Sequence, residues 1–555
     1  MNVLIFSGGS GSDSLQKGLY KEYPELDITV LTNAYDNGKS TGAIRQVFDG
    51  NILGPSDVRK NQSRHYSLVN GQDDVYNFIE HRFTCDDPVN YIKDYYESLS
   101  KSDKLNKLYE IVQEYFKESR KAFDVAYEDF SIGNIIYGYL AHINGNSLQN
   151  AADYIAELLE IKQKTVLNSD ESLFLQAITE SGEILHDEAD IVEYENEKDA
   201  ITDIRFLTSE GEVKETSFLS QRAIDAINAA DIIIFSTGTQ WSSLIPTYKC
   251  TTATGESFAK IIDSVKAKKF FLVNGAPDKD MYGVNGDGII EAVSKYFDVQ
   301  HGCTIISGDT DIKPSIGHIA NFGGEKYNPS LLAKEIFWLY FGKPNSADTF
   351  IFDYDDTIQG RKGSYAKYTI ENKKKLPKDA YVVTGNAHNK IDIKDIDVYA
   401  DGGVNLYKNG KFIECLDKDV KIAESTYNSV KMFLQKFGFN MSMLHNRNDV
   451  CLNVKPIPDE YRKLFAESLK PYVPGYDVHI LGTTSVDIMH PNNTKLTAIK
   501  HILSGKEHNG IFYVGDELSK GNDKIVEENK QTYGIITYEV KTPKDTFTFL
   551  KSIKD

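Results

Sequence analysis

The apolar runs of this chain are short, and each ends in a polar or glycine turn followed by helix-forming sequence. Val3-Leu-Ile-Phe6 leads into Gly8-Gly9-Ser10-Gly11-Ser12, then a helical stretch over about 13–22 and a second apolar run over 28–32. Strand–helix–strand alternation of this kind opens a parallel α/β sheet. It returns at Asp231-Ile-Ile-Ile-Phe-Ser and Phe270-Phe-Leu-Val-Asn, and begins afresh at Thr349-Phe-Ile-Phe. No run approaches the ~20 residues of a membrane helix. The opening MNVLIFSGG reads as a strand entering a turn, not as a signal peptide.

A chain of 555 residues exceeds one core, so two or three domains are expected. Residues 72–122 carry apolar side chains at helical spacing and read as a helical insertion; 164–216 is strand-rich. Gly323, Gly324, Asn328, Pro329, Gly342, Pro344, Asn345 and Ser346 bracket one amphipathic helix and mark a boundary. The expected division is 1–325, a linker over 326–347, and 348–555, so fragments ending near 343 and starting near 346 should each fold. The net charge of -19 disfavours nucleic acid and anionic membranes as partners, but not a small anion held by backbone N–H groups or a metal. Cys85, Cys250, Cys303, Cys415 and Cys451 are scattered without a C-x-x-C pair, which fits a reducing, cytoplasmic setting. The oligomeric state is left open.

Four signals follow in order in the C-terminal part. The strand from Thr349 runs into Asp353-Tyr354-Asp355-Asp356-Thr357, where Asp353 can attack phosphorus and Asp355 can serve as general acid and base. Tyr381-Val-Val-Thr384-Gly385-Asn386 offers a hydroxyl and bare N–H groups to a phosphoryl oxygen. Thr494 N-caps a helix whose first turn carries Lys495, a cation able to hold nucleophile and phosphate together. Phe512-Tyr-Val-Gly515-Asp516-Glu517 brings Asp516 to the same sheet edge, to complete with Asp353 and Asp355 an oxygen shell for Mg2+, with Asp523 orienting that shell or Lys495. Each motif alone is also a common turn; the ordered set is not.

This set resembles the haloacid dehalogenase superfamily over about 346–555. The resemblance implies a Rossmann-like core with an inserted α/β cap over about 390–485. Ala400-Asp401-Gly402-Gly403-Val404-Asn405 is similar to the cap entry of its Cof-type and phosphomannomutase-like branch. It also implies hydrolysis of a phosphate monoester, often a sugar phosphate. Asp356 stands where many members have Gly.

In the N-terminal part, the loop Gly8-Gly9-Ser10 can cradle an anion. Gly38-Lys39-Ser40-Thr41 is not a Walker A loop, because position 33 is Asn where that motif needs Gly. Asp36, Asn37, Ser40 and Arg45 cluster just after the second strand, followed by Asp57 and Arg59, then by the turns holding Asn134 and Gly238. In an open α/β sheet such blocks meet at the carboxyl ends of the strands. Their order resembles the family of phospholactate transferase and the YvcK gluconeogenesis factor over about 1–320, with a Rossmann-like parallel sheet. One branch moves a phospholactyl-type group from a guanosine diphosphate donor to a deazaflavin alcohol; the other binds UDP-sugars and regulates. Asp36-Asn37-Gly38 stands where YvcK-like members show Asp-Asp-Gly. The chain is thus expected to be a bifunctional protein. Its front domain takes a nucleotide diphosphate or nucleotide-sugar, through Gly8, Gly9, Ser10, Asp36, Asn37, Ser40, Arg45, Asp57, Arg59, Asn134 and Gly238. Its rear domain is a Mg2+-dependent phosphatase acting on a small phosphorylated metabolite. The other reading is a nucleotide-sugar sensor that controls the phosphatase.

Overall fold

The computed structural model describes residues 1–553 except 85–86, 197, 275–277, 308–317, 320–326, 343–346, 361–362, 394, 482–483, 505–507, 509 and 520. Cys85 and the boundary residues Gly323, Gly324, Pro344, Asn345 and Ser346 lie outside the described residues. The chain divides into two compact units, Met1–Ile336 and Phe337–Asp555. Among the described residues, no helix is long and apolar enough to cross a membrane.

The first unit is built on a seven-stranded parallel sheet. Its strands run, edge to edge, His318–Ile319, Thr304–Ser307, Lys268–Leu272, Ile232–Phe235, Asn2–Ser7, Asp27–Thr32 and Lys164–Leu167. The first strand lies inside the sheet, and the chain winds outward on one side of it before returning to the other. The order therefore reverses between Asn2–Ser7 and Ile232–Phe235, which pair Val3↔Ile232 through Phe6↔Phe235. Such a switch point leaves a crevice at the strands' carboxyl ends. Burial on both faces explains the unbroken apolar sequences: Val3 to Phe6 and Ile232 to Phe235 are each at most 1% exposed. The helical insertion is part of a longer helical block that includes Ser56–Asn70, Asp103–Glu118, Ile132–Ile143 and Leu148–Leu159. Of the strand-rich stretch, Lys164–Leu167 is the edge of this parallel sheet and the rest forms a separate four-stranded antiparallel sheet centred on Phe174–Thr179 and Ile201–Leu207.

The second unit has its own seven-stranded sheet. Asp397–Ala400, Tyr381–Val383, Thr349–Phe352, Ile511–Gly515 and Ile535–Glu539 are parallel, and the hairpin Asn405–Lys408/Lys411–Cys415 extends one edge. Here the structure corrects a boundary. Residues 397–415 belong to this core sheet, not to a cap beginning near 390. The physical reason is visible in the turn: Asn409 and Gly410 both take left-handed φ (47° and 75°), the geometry that folds a two-residue hairpin back onto the sheet. The inserted cap proper has a four-stranded antiparallel sheet, Leu444–Arg447, Cys451–Val454, Ser485–Met489 and Asp477–Leu481, with helices Glu424–Lys436 and Asp459–Leu469. It therefore ends at Met489, beyond 485. Its entry and exit are adjacent. Val404, Val420 and Val450 form one buried cluster. Leu416 N–H donates to Val404 O at 2.8 Å, and Asn493 Nδ2 to Val450 O at 3.0 Å.

The helix Pro329–Tyr340 spans the division between the units. In the second unit, Phe341 just beyond it is 2% exposed and packs on Tyr538 and Phe549 at ring separations of 4.7 and 5.2 Å. A fragment beginning near 346 lacks this ring. We expect it to be less stable than one beginning at 329 by about 3–5 kcal/mol, the cost of deleting a buried phenylalanine. Urea melts of the two fragments check this.

Candidate active sites

In the second unit, the three central strands end side by side and place the acidic motifs together. Asp353 follows Phe352, and its N–H donates to Val514 O on the neighbouring strand at 2.9 Å. Its carboxylate, 4% exposed, accepts from Lys495 Nζ at 2.6 Å. The same ammonium donates to Asp523 Oδ1 at 2.5 Å, which also accepts from Tyr513 OH at 2.5 Å. Lys495 starts the helix Lys495–Ser504. Gly403, with φ 102°, lets that helix approach: a Cβ there would lie 3.1 Å from Lys495 Cα. Asp353, Asp516 and Asp523 present oxygens all within 4.8 Å of one another.

Three carboxylates around one lysine leave an excess of negative charge. Burial, with Asp523 and Asp516 nearby, holds the Asp353 carboxyl well above its ordinary range despite Lys495. Burial and then Asp523 and Glu517 push Asp516 up to about 6. Burial alone would depress the Lys495 ammonium; Asp353 and Asp523 raise it instead. Hard oxygen donors carrying surplus charge suit Mg2+. Asp355 is not in this trio; its carboxylate accepts from Asn386 Nδ2 and so faces the Thr384-Gly385-Asn386 loop. The Thr384 side chain is buried and accepts from Asn386 N–H at 3.1 Å. Asp356 takes a φ of 51°, a left-handed position that glycine favours and aspartate tolerates.

In the first unit, the two glycine loops at the switch point pack backbone to backbone. A Cβ on Gly11 would lie 2.2 Å from Thr237 O and 2.5 Å from Gly238 Cα. Gly8 and Gly9 face Ser243, Asp57 and Lys60; a Cβ on Gly9 would lie 2.5 Å from Asp57 Oδ1 and 2.9 Å from Lys60 Nζ. Asp36 accepts from Gly38 N–H and Thr41 Oγ1 at 3.0 and 3.2 Å. Burial and then Asp57 push its carboxyl up to about 6, with Lys60 opposing. Asn134 Nδ2 donates to Ser40 Oγ at 3.2 Å, and Asn37 bridges Leu175 O and Glu188 N–H.

Two expected ligand groups are committed to partners within the protein. Arg45 is fully buried and donates to the carbonyls of Ile52, Asp36 and Leu173, at 3.0, 3.3 and 2.7 Å, with its guanidinium over the Phe174 ring. Arg59, 2% exposed, is neutralised by Glu80 and bonded to Asn134 Oδ1 at 3.1 Å. Both cations are spent inside the fold. The cations beside the glycine loop, among the described residues, are Lys60 and Arg64, which sequence reasoning missed together with Asn61. Asn61 Nδ2 donates to Gly8 O at 2.9 Å and Arg64 Nη2 to Gly9 O at 2.7 Å. These follow Asp57 at i+4 and i+7 on the helix Ser56–Asn70, so helical spacing was the available signal. Glu188, pushed up to about 8 by burial and then by Asp36 and Asp57, had none; it arrives from the antiparallel-sheet segment.

Comparison with known proteins gives a family for the first unit. The family described as 2-phospho-L-lactate transferase CofD matches residues 3–301. A gluconeogenesis factor of Listeria innocua is 24% identical over 283 residues, 49% of this chain and 66% of that protein, so the chain spans just under two thirds of it. The crystal structure of a upf0052 family member from Bacillus halodurans aligns with 60% of this chain and 99% of its own, at 17% identity and a TM-score of 0.43. A trehalose-6-phosphate phosphatase related protein aligns with 37% of this chain and 96% of its own, at 15% identity and a TM-score of 0.26.

Proposed function

The chain belongs to the 2-phospho-L-lactate transferase CofD family through residues 3–301, and from that premise we propose a cytoplasmic, bifunctional protein. The first unit takes a nucleotide diphosphate or nucleotide-sugar at its switch point, and the second is a Mg2+-dependent phosphomonoesterase of the haloacid dehalogenase type. The observation that carries the second half is the buried Asp353–Lys495–Asp523 arrangement beside Asp516, at the carboxyl ends of adjacent parallel strands.

In this reading Asp353 attacks phosphorus and carries the phosphoryl group as an aspartyl-phosphate. Asp355 gives a proton to the leaving oxygen and takes one from the attacking water in the second step. Thr384 and the N–H groups after it hold phosphoryl oxygens, and Lys495 keeps the nucleophile in place. Asp353 and Asp516 would hold Mg2+, which supplies charge neutralisation at the phosphoryl oxygens when bound. The substrate is a small phosphorylated metabolite. Release of inorganic phosphate from an aryl phosphate, with and without Mg2+, tests this half.

In the first unit, N–H groups of Gly9 and Ser10 with Lys60 take the diphosphate, and Asp36 accepts from a ribose or sugar hydroxyl. UDP- or GDP-linked ligands are expected to raise the melting temperature of the protein. At a hundredfold excess over Kd the stabilisation is about 2.7 kcal/mol. Lys60→Ala weakens it, whereas Arg45 and Arg59 variants lose fold stability first. Calorimetry that finds no binding at millimolar ligand removes this half of the proposal. The gluconeogenesis-factor name of the Listeria relative favours a regulatory role; consumption of the donor would exclude a pure sensor.

A further inference from the structure

Each carbonyl of the Thr384-Gly385-Asn386 loop is held from outside the loop. Gly402 N–H donates to Thr384 O at 3.1 Å and Asp401 N–H to Asn386 O at 2.8 Å, both from the core. The carbonyl between them is held from the cap, where Arg447 Nη1 donates to Gly385 O at 3.2 Å. Arg447 ends the cap strand Leu444–Arg447, and Asn448 and Asp449 after it take left-handed φ (49° and 58°), which turns the hairpin tightly. The hairpin tip meets the core a second time: Asn448 Nδ2 donates to Asp401 Oδ2 at 2.8 Å. Behind the tip, Arg447 Nη2 lies 3.5 Å from Oδ2 of the buried Asp487, whose other oxygen accepts from its cross-strand partner Asn453. The guanidinium thus has one side fixed in the cap and the other on the loop.

The peptide between Gly385 and Asn386 is gripped at both ends. Arg447 takes its oxygen, and its N–H donates to Thr384 Oγ1 at 3.1 Å. A glycine peptide is weakly constrained by its own sterics, so those two bonds decide how it lies. The bond from the guanidinium is charge-assisted and the stronger of the two. Two groups of the chemistry hang on this peptide. Thr384 Oγ1 accepts from its N–H, which turns the hydroxyl proton away from the loop and towards a phosphoryl oxygen. Asn386 Nδ2 donates to the Asp355 carboxylate. We propose that Arg447, backed by Asp487, is a positioning residue for phosphoryl transfer: through Gly385 O it sets the Thr384 hydroxyl and, through Asn386, the direction of Asp355 towards the leaving oxygen. This rests on the phosphatase reading and adds to it a residue of the cap.

The test uses the full chain with Mg2+ and two aryl phosphates of similar shape. 4-Nitrophenolate leaves with little help, whereas the leaving oxygen of phenyl phosphate is as basic as a tyrosinate, with a pKa of ~10, and needs the proton. Arg447→Met is expected to lower kcat/KM for phenyl phosphate by about tenfold or more, and for 4-nitrophenyl phosphate by a factor at least about threefold smaller. The double variant Arg447→Met/Asp487→Asn leaves neither partner of that pair charged and should show the same split. Asn386→Ala should show it as well, and adding Arg447→Met to Asn386→Ala should widen it no further, because the two residues act along one path. A contact that only seats the cap changes both esters alike. Equal losses on the two esters, no loss, a split that widens in the combined variant, or failure of both arginine variants to fold overturns the inference alone. If the parent hydrolyses neither ester, the phosphatase reading falls and the inference with it.

Discussion

Asp353→Asn is expected to reduce Mg2+-dependent phosphate release by on the order of 10³-fold or more, the scale of removing a nucleophile. The amide keeps the shape of the side chain and can still accept from Lys495, so the fold survives. The energetics make this sharper than a routine knockout. Burial and the Asp523 and Asp516 charges already press the Asp353 carboxyl towards its neutral form. Replacing it with a neutral amide relieves that repulsion, so without Mg2+ the variant should melt at or above the temperature of the parent. With Mg2+ the order reverses, because only the parent gains the cation's stabilisation. A variant that retains aryl phosphate turnover sinks the assignment of Asp353, and one that melts lower without metal sinks the account of its electrostatics.

Lys495→Met removes the cation from between two buried carboxylates while keeping the volume of the stem. Breaking a buried pair of this kind costs about 3–5 kcal/mol, because charge is left uncompensated in the interior. The loss should depend on pH. Without Lys495, nothing opposes the burial that already holds the folded-state Asp353 carboxyl well above the ~3.9 of an unfolded aspartate. The folded state then binds more protons than the unfolded one, so stability falls as pH rises through that window and recovers as pH drops towards it. Denaturant melts of the parent and the variant at pH 5 and pH 8 measure the difference. A penalty that is equal at both pH values, or absent, means that the lysine does not carry the charge balance of the site.

The sheet architecture was legible because buried parallel strands leave unbroken apolar runs, and the acidic motifs were legible because each sits where such a run ends. The limits of the reading are equally physical. Arg45 and Arg59 looked like anion ligands, since a sequence shows charge but not the carbonyls and the Glu80 carboxylate that consume it. Lys60, Asn61 and Arg64 were hidden in a helix whose face could have been drawn from Asp57. Glu188 could not have been found, because its place beside Asp36 and Asp57 is set by tertiary packing alone. The cap boundary failed for a local reason: Asn409-Gly410 marks a hairpin, and reading it as one would have kept 397–415 in the core.

The adjacency of the cap's two attachment points has a consequence for how this unit can change. Because the chain leaves after Cys415 and returns before Asn493 beside the same Val404–Val420–Val450 cluster, the inserted segment has ends that already lie close together. Closing or lengthening such an insertion adds little entropic cost. The cap is in effect a cassette. It can be exchanged for one of different size and charge by recombination at two neighbouring loops, while the strand ends that hold Asp353 and Asp516 and the helix start that holds Lys495 stay as they are.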